Sequence, residues 1–217
     1  MPSTVVKPRK KLVLTGYGPF GEFKENPSSV LVERIAESGL PADVAAVFDL
    51  QTELLDVAYC KADDYVQNFV QKDPADFYIH LGVHPIARHV KLEQQSGSDG
   101  YCREDVLGAC AINARSCVAP SCGTKERLHT KLNCVDAVAA IHEALGDKLE
   151  GLRVTTSDDP GTYLCGYIFY STLKVNKGRS LFVHVPEFDS VATVEVVHQI
   201  VVEVTRQVAR QIVHFED

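Results

Sequence analysis

The chain alternates short apolar runs with segments of helical periodicity over most of its length, and this alternation restricts its possible folds most. Several runs are apolar at nearly every position, as central strands are when helices cover both faces of a sheet. The strands predicted from these runs are Lys11–Tyr17, about Asp43–Leu50, Phe77–Val83, Leu152–Thr156 and Ser180–Val185.

Helices are predicted between these strands. The pair Asn26-Pro27 is typical of an N-cap followed by proline in the first helical turn. The predicted helices run from this pair to about Ser38, from Glu53 to about Lys72, from Asn133 to Leu145, from Tyr163 to about Val175, and from Val191 to about Phe215. The order of elements predicts an α/β protein, a single-domain three-layer α/β/α sandwich with a mainly parallel twisted sheet and helices on both faces. Such folds bind ligands beyond the carboxyl ends of their strands.

The length of 217 residues suits one domain. Residues 1–10, which include most of a short basic run, are predicted to form a flexible tail, and residues 11–217 a single domain. The stretch from about 94 to 131 is rich in Ser, Gly, Cys and charged residues and has no clear periodicity. It is predicted to be a long surface loop, and the sequence leaves open whether the loop covers the site.

Composition excludes several classes of function. The formal net charge of −7 argues against a nucleic-acid-binding surface. No apolar run approaches the ~18 residues of a membrane span, and the first apolar stretch does not resemble a signal peptide. The seven cysteines are an odd number, which together with the missing signal favours free thiols in a reducing compartment. We therefore expect a cytoplasmic protein that binds neither nucleic acid nor membranes.

Cys165 and His184 are the strongest candidate catalytic pair. Cys165 lies in the first turn of a predicted helix, where free backbone N–H groups and the helix dipole favour a thiolate and could bind an oxyanion. The helix descends roughly 15 Å and the following strand climbs roughly 13 Å to His184, so both residues are expected at the same height. The alternative is that Cys165 is a small buried side chain and His184 a core histidine.

Other groups of cysteine and histidine are weaker candidates for metal sites. Cys110, Cys117 and Cys122 lack the paired CxxC spacing of structural zinc sites, so free thiols are expected there. His80, His84 and His89 lie on one strand–loop segment without an evident acidic or cysteine partner. The sequence therefore predicts no metal.

Four segments resemble the pyroglutamyl peptidase I family, also called pyrrolidone-carboxylate peptidases, and most of all its animal-type branch. They are Thr15–Gly21 (TGYGPFG) followed by Glu25–Ser28, His80–Val83 running to Leu92-Glu93, Ser157–Cys165 (SDDPGTYLC), and Gly178–Pro186 (GRSLFVHVP). Their order and spacing match the family over roughly residues 10–190.

The resemblance implies a thiol protease that removes an N-terminal pyroglutamyl residue from peptides without a metal or cofactor. By position, Cys165 corresponds to the nucleophile, His184 to the base and Glu93 to the acidic partner of a Cys-His-Glu triad, and a thioacyl-enzyme intermediate is implied. The assignment of Glu93 rests on the resemblance alone. A monomer or a weak homo-oligomer is expected.

The resemblance also implies substrate-binding residues. Tyr17 and Phe20 correspond to aromatics that clamp the pyroglutamyl ring, and Asn26 to a residue that supports their loop or caps the following helix. Bacterial members have a Gln-Ala-Gly-Gly-Arg type of sequence after the strand that ends near Gly82. Here backbone groups near Val83 are expected to replace the glutamine. Arg103 corresponds loosely to an arginine near the oxyanion.

Two other functions remain open from the sequence. The first is a non-catalytic protein that uses the aromatic loop to hold a cyclic ligand. The second is a cysteine hydrolase with a different acyl substrate. Cleavage of a pyroglutamyl-linked amide that depends on Cys165 would distinguish the peptidase from both.

Overall fold

The computed structural model describes residues 8–19, 21, 24–84, 86–111 and 126–215. The described strands are β1 Lys10–Tyr17, β2 Phe48–Leu55, β3 Phe77–Val83, β4 His89–Glu93, β5 Gln95–Gly97, β6 Arg127–His129, β7 Arg153–Ser157 and β8 Ser180–Val185. The described helices are α1 Pro27–Ser38, α2 Ala42–Ala45, α3 Tyr59–Tyr65, α4 Cys134–Leu145, α5 Leu164–Val175 and α6 Val194–Gln211. A π-helical turn, Val66–Val70, extends α3, and 3₁₀ turns, Gly146–Leu149 and Ile212–His214, follow α4 and α6.

Six strands form the central sheet in the order β2-β1-β3-β8-β4-β7. The first four are parallel to one another, whereas β4 runs antiparallel to β8 and parallel to β7. The prediction of a mainly parallel sheet within an α/β fold is therefore confirmed.

Helices pack on both faces of this sheet. One core contains side chains of α1, α4 and α6, and the other contains side chains of α3, its π-helical turn and α5. Alternate residues of β8 point to opposite cores: Leu181 and Val183 belong to the first, and Phe182 to the second. Because side chains alternate along a strand, His184 lies on the same face as Phe182, under α5.

Side-chain caps fix the starts of three helices. Asn26, Asn133 and Thr193 each accept a hydrogen bond from a backbone N–H in the first turn of α1, α4 and α6. The predicted cap at Asn26-Pro27 is therefore confirmed. Capping of this kind contributes about 1 kcal/mol to helix stability.

Three predicted element boundaries are wrong. The strand placed at about 43–50 lies at Phe48–Leu55, and α2 occupies residues 42–45. The helix predicted from Glu53 begins only at Tyr59. The C-terminal helix begins at Val194 and ends at Gln211. The strand β4, which joins the edge strand β7 to β8, has no counterpart among the predicted strands.

Two predicted segments lie partly outside the described residues. Residues 1–7 of the predicted tail are among these, and the described chain enters β1 at Lys10. Within the predicted loop 94–131, residues 112–125 lie outside the described part, whereas β5 and β6 pair antiparallel on either side of it. Among the described helices, none combines the length and apolar character needed to cross a membrane.

Candidate active site

Cys165 occupies the second position of α5, and three contacts hold the first turn of this helix in place. The Tyr17 hydroxyl donates to the Leu164 carbonyl at 3.2 Å, and the Ser96 hydroxyl donates to the Gly166 carbonyl at 2.8 Å. A Cβ atom on Gly166 would collide with the Gly161 carbonyl, so only glycine fits there. Within the described part of the chain, the Tyr163 side chain at the N-cap position forms no capping hydrogen bond to α5. The first N–H groups of α5 are therefore available to bind an oxyanion beside the thiol.

The thiol of Cys165 packs against the backbone of β3. A Cβ atom built on Gly82 would lie 3.1 Å from Cys165 Sγ and 2.6 Å from Phe182 Cζ. Gly82 is also paired in register with His184. The missing side chain at Gly82 therefore leaves the space in which Cys165 approaches the imidazole.

His184 bridges Cys165 and Glu93. Its Nδ1 atom lies 2.8 Å from Glu93 Oε1, and both side chains are almost completely buried, at 4% and 0% exposure. The Cys165 sulfur lies beside Gly82, the residue in register with His184, and the Cys165 side chain contributes to the raised pKa of the imidazole. Since Nδ1 is engaged by the carboxylate, Nε2 is the nitrogen that remains for the thiol.

The electrostatic environment favours the protonated imidazole. Burial by itself would lower the pKa of His184, but the interactions with Cys165 and Glu93 raise it to about 9. An imidazolium at neutral pH stabilises a neighbouring thiolate and can donate a proton to a leaving group. The arrangement can therefore perform nucleophilic catalysis.

The antiparallel direction of β4 explains the position of Glu93. Lys91 is in register with His184, and Glu93 is in register with Phe182. Glu93 therefore lies one diagonal step from His184 on the same face of the sheet. Its second oxygen, Oε2, is buried without a hydrogen-bond partner among the described residues.

The predicted aromatic loop is described only in part. Tyr17 is 5% exposed, and its hydroxyl has the Leu164 carbonyl as the partner that a buried hydroxyl requires. Burial, with a further contribution from Cys165, raises its pKa well above the ordinary value. Asn26 caps α1 and also donates to the Gly18 carbonyl at 3.2 Å, so it fixes both the helix and the loop. Phe20 lies outside the described residues.

Val83 and Arg103 lie at two edges of the site. Val83 is the last residue of β3, directly after Gly82, and is half-buried. Arg103 is exposed, and its guanidinium carbon lies 4.6 Å from the centre of the Tyr163 ring, two residues before Cys165. Arg103 therefore contacts the segment that leads into α5 and does not reach Cys165 through any described contact.

The described residues contain no cluster of three or more His, Cys, Asp and Glu side chains arranged to hold a metal ion. His80 is buried between the hydroxyls of Thr15 and Thr172, at 2.7 and 3.1 Å, and burial lowers its pKa to about 3. The general expectation of free thiols does not hold for Cys102, which is disulfide-bonded. Cys117 and Cys122 lie outside the described residues.

Comparison with known protein families identifies the family of this chain. The model of the family described as "Putative pyroglutamyl peptidase PgaPase_1" matches residues 5–189. The chain belongs to the pyroglutamyl peptidase family. It is therefore an enzyme of the cysteine peptidase class, as the resemblance implied.

Animal members of the pyroglutamyl peptidase family are among its similar relatives. Pyroglutamyl-peptidase 1 from Mus musculus and from Homo sapiens are each 32% identical over 180 residues, which cover 83% of this chain and 80% of theirs. The prediction of the animal-type branch agrees with this similarity. The pyrrolidone carboxyl peptidase of Thermococcus litoralis has a similar fold, with a TM-score of 0.73 at 20% identity, and covers 96% of this chain and 97% of that one.

Three residues near the site were not identified as site residues from the sequence. Gly82 provides the space for Cys165. The His84 ring meets the His184 ring edge to face at a centroid distance of 5.0 Å. The Lys91 Nζ atom lies 3.5 Å from His84 Nε2. The position of His84 after the β3 strand end was a usable signal, whereas Lys91 had none because β4 was not predicted.

Proposed function

We propose that this protein hydrolyses the amide bond after an N-terminal pyroglutamyl residue of peptides, through a Cys165–His184–Glu93 triad and a thioacyl intermediate. The observation that supports this proposal most is the position of three side chains: Cys165 at the start of α5 has its sulfur beside Gly82, the residue in register with His184, and His184 Nδ1 lies 2.8 Å from Glu93 Oε1. The names of the related pyroglutamyl peptidases support the substrate.

The first half of the reaction forms the thioacyl enzyme. The Cys165 thiolate attacks the carbonyl carbon of the pyroglutamyl residue, and the free N–H groups of α5 bind the resulting oxyanion. When the tetrahedral intermediate collapses, the C–N bond breaks and the His184 imidazolium gives its proton to the leaving amine. The peptide then departs, shortened by one residue, and the acyl group remains on Cys165.

The second half restores the enzyme. The neutral His184 takes a proton from a water molecule, and the hydroxide attacks the thioester. Collapse releases free pyroglutamate and the Cys165 thiolate, with His184 protonated again. Glu93 keeps the imidazole oriented through Nδ1 and stabilises its positive charge during both halves.

The pyroglutamyl ring is small, flat and neutral, so its pocket needs apolar walls and a few hydrogen-bonding groups. We propose that Tyr17 and Phe20 contact the ring, that Asn26 holds their loop, and that backbone groups at Val83 bind the lactam. Arg103 is proposed to act at the edge of the pocket through Tyr163. A cytoplasmic location and a monomer or weak homo-oligomer remain predictions.

A fluorogenic pyroglutamyl amide tests this function under reducing conditions. The wild type is expected to cleave it and to leave the matching prolyl and glutaminyl amides intact, because only the pyroglutamyl group is both cyclic and acylated at nitrogen. Cys165→Ala and His184→Ala should each abolish turnover. Cys60→Ala is the matched control, since Cys60 is an exposed free thiol on α3 outside the site.

The result also separates the alternative functions. A wild type that binds the pyroglutamyl amide without cleaving it would favour the binding protein. Cleavage of the other amides in preference would favour a hydrolase with a different acyl substrate. Turnover that survives Cys165→Ala would contradict the proposed mechanism.

A further inference from the structure

Three basic side chains extend from His184 along the open end of the same sheet face. Lys91 is in register with His184 on β8, and His89 precedes it by two residues on β4. Arg153 is in register with His89 on the neighbouring strand β7. Because residues two apart on a strand, and residues in register on parallel strands, point the same way, these three side chains share the face of His184.

These side chains remain accessible next to a buried reaction centre. His89 and Lys91 are half-buried and Arg153 is exposed, whereas His184 is 3% exposed. Burial, with Arg153 and Lys91, lowers the pKa of the His89 imidazole, so the positive charges next to the centre are those of Lys91 and Arg153. A peptide that extends away from His184 meets these two charges, in a protein whose formal net charge is −7.

Lys91 has no counter-ion within the described part of the chain. Its Nζ atom contacts His84 Nε2 at 3.5 Å, and it forms no ion pair with a described carboxylate. His84 accepts a hydrogen bond from the Ile86 N–H on Nδ1, and its pKa is lowered to about 4, first by burial and then by His184 and Lys91. Glu93, on the same face, is hydrogen-bonded to His184 through Oε1. A half-buried ammonium group without a carboxylate partner is electrostatically suited to bind one.

We propose that Lys91, with His89 and Arg153 beyond it, forms the subsite for the leaving part of the substrate and favours an acidic residue directly after pyroglutamate. This inference rests on the proposed function, since it concerns the residue whose amine His184 protonates. That amine must lie against His184 Nε2 to receive the proton, so the side chain of the same residue lies close to the imidazole. The His84 ring contacts the His184 ring, and Lys91 Nζ contacts His84 Nε2, so Lys91 is the first cation on this face beyond His184.

The test compares two substrates of nearly the same shape, pyroglutamyl-aspartyl amide and pyroglutamyl-asparaginyl amide. The wild type is expected to cleave the aspartyl substrate with a kcat/KM about 5-fold higher, the upper range for a charge pair near a surface. Lys91→Gln should remove this preference, and Lys91→Glu should reverse it. Raising the salt concentration should weaken the wild-type preference, because salt screens exposed charges.

Lys72→Gln is the control for removal of a positive charge. Lys72 is exposed and precedes the start of β3, whereas His184 is near the carboxyl end of the parallel strand β8. Lys72 therefore lies at the opposite end of the strands from His184. This variant should keep the full preference for the aspartyl substrate.

The possible results are distinguishable. Equal kcat/KM values for the two substrates in the wild type, or a preference that survives in Lys91→Gln, would overturn the subsite while leaving the proposed function intact. Failure to cleave either substrate, together with the fluorogenic pyroglutamyl amide, would overturn both.

Discussion

Replacing Gly82 by alanine tests whether the close contact between β3 and Cys165 sets the geometry of the site. The added methyl group would lie 2.6 Å from Phe182 Cζ and 3.1 Å from Cys165 Sγ. Relative to an ordinary contact of 3.4 Å, the ring must move by about 0.8 Å and the sulfur by about 0.3 Å. Both neighbours are packed within the core under α5, so neither can move without disturbing other side chains.

The size of the effect follows from these displacements. Overpacking of a core by one methyl group costs about 1–3 kcal/mol, and we expect a value near the middle of this range because the Phe182 ring is fully buried. A misplacement of ~1 Å in an active site can reduce the rate about 100-fold, so the smaller shift of the sulfur should lower kcat about 10-fold. The variant is expected to fold and to remain partly active.

Two assays and one control are needed. Urea unfolding measures the change in the free energy of unfolding, and hydrolysis of a pyroglutamyl amide measures kcat and KM. Gly97→Ala is the control, because a Cβ atom there would have no neighbour closer than 3.8 Å. If Gly82→Ala retains wild-type kcat and unfolds within about 0.5 kcal/mol of the wild type, the argument from close packing is wrong.

Four further predictions concern Glu93, His184, Tyr17 and Asn26. Because the pKa of His184 is raised, the imidazolium persists at neutral pH, and kcat/KM of the wild type should fall as pH rises through about 9. Glu93→Gln should leave folding intact, lower kcat and move this fall to lower pH. A near-wild-type kcat in this variant would remove Glu93 from the triad. The same shift adds stability that is present in full below about pH 6.5 and is lost as pH rises through about 9, which urea unfolding across this range can measure. Tyr17→Phe should destabilise the protein by about 1 kcal/mol in urea unfolding, since it removes the buried hydrogen bond from the Tyr17 hydroxyl to the Leu164 carbonyl. Asn26→Ala should lower the free energy of unfolding by about 1–2 kcal/mol and raise KM, because it removes both the cap of α1 and the hydrogen bond to the Gly18 carbonyl. An unchanged KM would mean that the loop does not need this support.

The elements that bring Cys165 and His184 together could be predicted from the sequence. The strands β3 and β8 are apolar at almost every position, and their predicted bounds match the structure. The helix α5 was predicted within one residue. One helix and one short turn separate Cys165 from His184, so their distance follows from the rise per residue and needs no knowledge of the rest of the fold.

The edge of the sheet was harder to predict. The strand β2 lies at the edge, and only its first and last residues, Phe48 and Leu55, are buried. The middle of β2 is polar, so it lacks the apolar run that is typical of the central strands. The apolar stretch just before it, at about 43–50, therefore predicts the strand too early. The short helix α2 occupies part of that stretch. Burial on one side only explains why periodicity failed here.

The acidic partner of His184 depends on a strand direction that no local pattern reveals. In the segment His89–Glu93 only Val90, Leu92 and Glu93 are buried, which is too short a pattern to distinguish a strand from a loop. Because β4 runs against β8, its last residue descends to the level of Phe182, where Glu93 meets Nδ1 of the imidazole from within the protein. The same reversal carries Lys91 and His89 past His184 toward solvent. A parallel β4 would exchange these positions, with the carboxylate outermost and the lysine buried, so one strand direction determines both the orientation of His184 and the charge that a departing peptide meets.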